Sequence, residues 1–128
     1  MWALAVFTFL AVLNGCSSEE GPLETQMTEH AVIVHFSYGS TNLQAIFSLE
    51  DRLEAAIAGA SVGEYDGHEV AIDGSDGYLY MYGPDADRLF DIVRPILESA
   101  PFTRGATVTV RYGPPDEGIR QKQIKLGP

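Results

Sequence analysis

The side chains best suited to chemistry in this chain are His30, His35 and His68, the lone cysteine Cys16, and several clustered aspartates. Zinc needs imidazole or thiolate ligands spaced to converge on one ion, as in H-x-x-x-H or H-E-x-x-H. No pair of these histidines has that spacing, and no second cysteine joins Cys16. A hydrolytic nucleophile needs a base within hydrogen-bond reach. His35 and Ser37 fall on one side of an extended segment, but two residues along a strand separate them by about 7 Å. Asp73-Gly74-Ser75-Asp76-Gly77 gathers carboxylates on a tight loop, a setting that suits calcium. It lacks the alternating ligand spacing and the distant glutamate of a calcium-binding loop, and its residues are those that form turns. Asp85, Asp87 and Asp91 read in the same way as a helix start and a solvated face, although 87 and 91 stand one helical turn apart. No G-x-S-x-G, phosphate-binding loop or G-x-G-x-x-G occurs. The expectation is a protein with no catalytic residue, no metal and no cofactor.

The elements that carry these residues follow from hydrophobic period. Residues 31–38 alternate, with Val32, Val34 and Phe36 on one side and Ile33, His35 and Ser37 on the other, which predicts a strand. Thr41 with Gln44 three residues later has the form of a capping box, so a helix is expected from there. Its buried stripe would be Leu43, Ile46, Phe47, Leu53 and Ile57, with Glu50, Asp51 and Glu54 facing water and Gly59 and Gly63 about its end. Residues 64–73 read as a second strand on the strength of Val70 and Ile72, and the Asp-Gly-rich turn closes a hairpin onto a third strand over 78–82. Asp85 is placed to cap a second helix with the stripe Leu89, Ile92, Val93, Ile96 and Leu97, kinked or cut short by Pro95. Residues 106–112 form a fourth strand. Residues 119–126 are able to add an edge strand, whose Arg120, Lys122 and Lys125 would discourage sheet-to-sheet pairing.

The order β-α-β-β-α-β is the split βαβ, or ferredoxin-like, arrangement. It is an α+β fold: an antiparallel sheet with two helices on one face, and strands one and three in its centre. If Val32, Val34, Phe36, Val70, Ile72, Leu79, Met81, Val108 and Val110 lie under the helices, alternation fixes the opposite face. That face would carry His35 and Ser37, then Tyr78, Tyr80 and Tyr82, then Thr107, Thr109 and Arg111. Aromatic rings with polar tips around a histidine make a candidate surface for a partner or ligand, namely His35, Tyr78, Tyr80, Tyr82 and Arg111. Tyrosine also simply forms strands well and covers a sheet.

The chain has 128 residues and a formal net charge of −10, which suits one domain and opposes nucleic-acid or polybasic membrane binding. Residues 2–13 are apolar apart from Thr8. As a helix they would rise about 18 Å, short of a hydrocarbon core of roughly 30 Å, so they suit a signal peptide better than a span. The polar run 17–26 that follows reads as a flexible tether. With one cysteine, no internal disulfide forms.

Leu13-Asn14-Gly15-Cys16 resembles the lipobox of bacterial lipoproteins, with an aliphatic residue, a less usual Asn14, a small Gly15 and then the cysteine. The resemblance implies a signal peptide over 1–15, lipidation of Cys16, a lipid-anchored tether over 16–29 and a domain over 30–128. It also implies a membrane-anchored protein of the bacterial cell envelope. Against it, Met1 stands in place of a basic n-region, and Met27 directly precedes the first strand, so a cytoplasmic chain starting at Met27 is the alternative. The segments GEYDG (63–67), DGSDG (73–77) and YGPDAD (82–87) are similar to a pattern in small bacterial proteins, which implies a compact α+β domain and no activity or site. A third-strand aromatic stripe also resembles that of RNA-recognition domains, but there the rings are interleaved with basic residues, and here Arg111 stands alone. The expected function is non-enzymatic binding: a protein partner, or a second copy in a homodimer, docked on the open sheet face. One version is an immunity-type protein whose acidic surface meets a basic toxin. The alternatives are a cytoplasmic small-ligand-binding or accessory domain and, more remotely, an enzyme using His35 and a tyrosine as acid and base.

Overall fold

A computed structural model of the chain describes residues 29–127. The expected leader, Cys16 and Met27 lie outside the described residues. Eight segments follow in order: β1 (His30–Ser37), α1 (Gln44–Ala60), β2 (Glu64–Val70), β3 (Asp76–Gly83), α2 (Ala86–Ser99), a 3-10 turn (Pro101–Thr103), β4 (Thr107–Arg111) and β5 (Gln121–Lys125). They form one five-stranded sheet, ordered β2-β3-β1-β4-β5, with every neighbouring pair antiparallel. The first four strands and two helices are the ferredoxin-like arrangement, and β5 extends it at the β4 edge.

The core lies between the sheet and the two helices. Val32, Val34, Phe36, Leu79, Met81, Val108 and Val110 are buried from the sheet side, as alternation requires. Ile46, Leu49, Leu53 and Ile57 of α1 and Leu89, Phe90, Val93 and Leu97 of α2 meet them. The edge-on rings of Phe36, Tyr38 and Phe102, with centroids 5.1–6.0 Å apart, close one end of this layer. Thr103 is the buried polar residue there, and its hydroxyl donates to the Leu97 carbonyl at 2.5 Å, binding the 3-10 turn to the end of α2.

Four expectations about the elements are corrected. The first helix starts at Gln44 and not at Thr41: Leu43 is its cap, and the Gln44 amide is held by Asn42 Oδ1 at 3.0 Å. An Asx turn has taken the place of the capping box. The buried stripe runs through Ile46, Leu49, Leu53 and Ile57, which leaves Phe47, about 100° round the helix from Ile46, exposed. The second strand ends at Val70. Ile72 is fully exposed in the turn, because Ala71 and Gly74 close a hydrogen-bonded turn (Gly74 N–H to Ala71 O, 2.8 Å) that lifts it off the sheet. Finally, α2 does not end early at Pro95 but continues to Ser99. Pro95 and Asp91, whose carbonyl loses its partner, are both on the solvent side, where water can satisfy that oxygen. The expected N-cap holds: Asp85 Oδ1 accepts from the Arg88 amide at 3.2 Å.

One irregularity matters for the site. β2 pairs with β3 as Tyr65 opposite Met81 and then Gly67 opposite Tyr80, so Asp66 is an extra, bulged residue. The bulge puts Tyr65 and His68, three residues apart, on the same helix-side face.

Candidate functional site

The register of the three inner strands builds the open face. His35 of β1 stands directly opposite Tyr78 of β3 and Thr107 of β4. Ile33 stands between Tyr80 and Thr109, and Ala31 between Tyr82 and Arg111. The expected group His35, Tyr78, Tyr80, Tyr82 and Arg111 therefore shares one face of the sheet.

Three of its rings form a ladder. The His35 ring lies on Tyr78, with centroids 4.5 Å apart and planes inclined by 15°. Tyr78 in turn lies 6.1 Å from Tyr80 at 16°. Each end is held by a carboxylate. Asp76 Oδ2 is 2.7 Å from His35 Nε2, and the Tyr80 hydroxyl donates to Glu69 Oε1 at 2.5 Å. The hydrogen bond to Glu69, partial burial and the Glu69 charge together push the Tyr80 hydroxyl up to about 12. Burial and the Asp66 charge also raise Tyr82, with Arg111 opposing them. The ladder is reachable by solvent: the Tyr78 residue is 37% exposed and the His35 side chain 46%. Arg111 is half-buried and donates from Nε to the Gly113 carbonyl at 2.7 Å, which fixes it at the rim.

His35 and Asp76 form a charge-assisted pair, and Ser37 stands opposite Asp76 in register. No described hydrogen bond joins Ser37 to the imidazole, so the three residues do not form a nucleophile-base relay. Among the described residues no group of three or more His, Cys, Asp or Glu side chains is placed to hold a metal ion. A cleft of about 520 Å³ opens beside the ladder at the end of β1, between His35, Tyr38, Phe102, Arg104, Thr107 and Lys125.

A second polar cluster went unnoticed in the sequence. Glu50 of α1 accepts at Oε2 from the Tyr65 hydroxyl and lies the same distance, 2.6 Å, from His68 Nδ1. Both side chains of the Glu50–His68 pair are largely buried, at 16% and 24% exposure. Burial first, and then the Glu50 hydrogen bond and charge, push Tyr65 far above the ordinary tyrosine range. The arrangement clamps edge strand β2 to α1. The signal for it was weak: Tyr65 and His68 face one way only because of the bulge at Asp66. A third cluster joins β5 to α2. The Tyr112 hydroxyl donates to Asp87 at 2.6 Å, Arg120 lies over the Tyr112 ring at 3.9 Å, and Lys122 is 3.7 Å from Asp87. The Tyr112 hydrogen bond and the two cations hold the Asp87 carboxyl below its usual range.

No helix among the described residues is long and apolar enough to cross a membrane. Comparison of the chain with protein-family models, curated proteins and solved structures gave no match.

Proposed function

We propose that this chain is a non-enzymatic binding protein, anchored by lipid at Cys16, that docks a folded protein surface on the open face of its sheet. The observation that carries the reading is the ladder of His35, Tyr78 and Tyr80. Stacking restricts the rings, and Asp76 and Glu69 restrict the ladder's ends, so little side-chain freedom remains to be lost on association. Such rings combine large contact area with polar tips, which is the composition of a protein interface centre. The carboxylates at the ladder ends serve as positioning groups, and among the described residues the His35 ring is hydrogen-bonded to Asp76 and to no hydroxyl.

A photo-crosslinking side chain placed at Tyr78 of the full chain, in the cell that makes it, tests this. The expected result is one defined cross-linked species from Tyr78 and none from Asp51 on the exposed side of α1. Cross-links from Asp51 alone would overturn the docking face. Intact mass of the native product tests the anchor, since diacylglycerol and an acyl chain add mass to a chain beginning at Cys16. A native chain that begins at Met27 and stays in the aqueous phase would remove the anchor and leave the docking face standing.

A further inference from the structure

The open face is electrically lopsided. Glu64 and Glu69, both exposed, lie on edge strand β2, whereas Arg111 and Lys125 lie at the other side on β4 and β5. Register also sorts the face into rows centred on β1, the middle strand. One row runs Glu69, Tyr78, His35, Thr107, Lys125. Another runs Glu64, Tyr82, Ala31, Arg111, Gln121.

We infer that the docked surface is a second copy of this chain, related by a two-fold axis running along β1 between two facing sheets. This rests on the open face being the contact surface. Such an axis reverses each row onto itself, so that a residue two strands to one side of β1 meets the residue two strands to the other. Glu69 then faces Lys125 of the second copy, Tyr78 faces Thr107, and Tyr82 faces the Arg111 guanidinium, each contact made twice. A two-fold across the strands would instead set Glu69 against Glu64, carboxylate on carboxylate. Charge thus selects one docking direction out of two. The distribution of residue types agrees: Ile33, His35 and the rings lie on or next to the axis strand, and Glu69 and Lys125 lie about 10 Å out, two strands away.

The test uses the full chain in mild detergent, read by native mass spectrometry, with Glu69→Lys and Lys125→Glu prepared separately. Each variant puts like charges at both rim contacts, so each is expected to self-associate at least about tenfold more weakly than the parent. Mixing the two, one of them isotope-labelled, restores both attractive contacts, and the heterodimer should form at least about tenfold more tightly than either variant with itself, short of the parent by the Glu69–Tyr80 hydrogen bond that one copy has lost. Because both positions are exposed, and a misfolded variant would not be rescued by mixing, folding defects are separated from loss of contact. A parent chain that stays monomeric at about millimolar concentration overturns the second copy. A defined cross-link from Tyr78 to a different protein would then still uphold the docking face. A dimer indifferent to both substitutions lies elsewhere on the surface and overturns the second copy on this face, leaving the docking face to the Tyr78 cross-link. Loss of the dimer in both variants without rescue on mixing, when each variant unfolds in urea as cooperatively as the parent, overturns the proposed axis.

Discussion

His35 lies flat on Tyr78 across the β1–β3 pair, 4.5 Å between centroids, with Asp76 at 2.7 Å from its Nε2. The contact follows directly from register, since the two residues are cross-strand partners. Directly opposed aromatic pairs contribute roughly 0.5–1.5 kcal/mol beyond burial. A double-mutant cycle on His35→Ala and Tyr78→Ala should therefore show a coupling of about 0.5–1 kcal/mol in urea unfolding. A coupling indistinguishable from zero would mean that the rings do not stack in solution.

Tyr80 gives a prediction with a defined pH window. Its hydroxyl is raised from 10.0 to about 12, first by the hydrogen bond to Glu69. The folded state therefore holds this proton more tightly than the unfolded chain. Stability from the contact is complete below pH 10 and is lost as pH rises towards about 12. In tyrosinate absorbance, Glu69→Ala should move one late-titrating tyrosine down towards 10, and Tyr80→Phe should remove it.

The Glu50 clamp predicts local fraying of the β2 edge. Glu50→Ala strands the Tyr65 hydroxyl and the His68 N–H in a largely buried place, which costs about 1–3 kcal/mol. Tyr65→Phe removes one donor and leaves the His68 contact, so its cost should be about 1 kcal/mol. Hydrogen exchange should quicken at β2 amides before it does in β1.

Gly74 and Gly39 both have positive φ, but their surroundings differ. A Cβ on Gly74 would stand 2.2 Å from the Ser40 carbonyl oxygen, whereas one on Gly39 has no neighbour within 4 Å. Gly39→Ala should cost about 1 kcal/mol from backbone conformation alone. Gly74→Ala should cost clearly more, about 2–3 kcal/mol, because the loop after β1 must also move off the β2–β3 hairpin. Denaturant midpoints of the two variants make the comparison.

On α1, Leu49→Ala should cost about 2–5 kcal/mol, and Phe47→Ala should fall within about 0.5 kcal/mol of the parent. The Phe47 side chain is exposed while Leu49 is buried, although the apolar pattern counts Phe47 in the stripe. Thermal or urea unfolding of the two variants reads the difference.

Much of the open face was legible from alternation alone. Once Val32, Val34 and Phe36 are assigned inward, His35 must point the other way, and the same rule places Tyr78, Tyr80 and Tyr82. The Asp85 cap and the β5 edge strand were equally visible in local chemistry. The capping-box form of Thr41 and Gln44 points to too early a helix start, and the hydrophobicity of Ile72 to too late a strand end. Asn42 and Ala71 set them instead, through hydrogen bonds that a hydrophobic pattern does not record.

The sequence by itself determined the element order, the two-sided sheet and the aromatic third strand, because period and turn residues act over a few neighbouring positions. Only the tertiary structure decided which carboxylate holds which ring: Asp76 on His35, Glu69 on Tyr80, and Glu50 on Tyr65 and His68. Those pairings depend on strand register and on one bulged residue, Asp66. A one-residue shift in register turns every side chain to the opposite face, so contacts between distant segments follow from the packed sheet and not from local pattern.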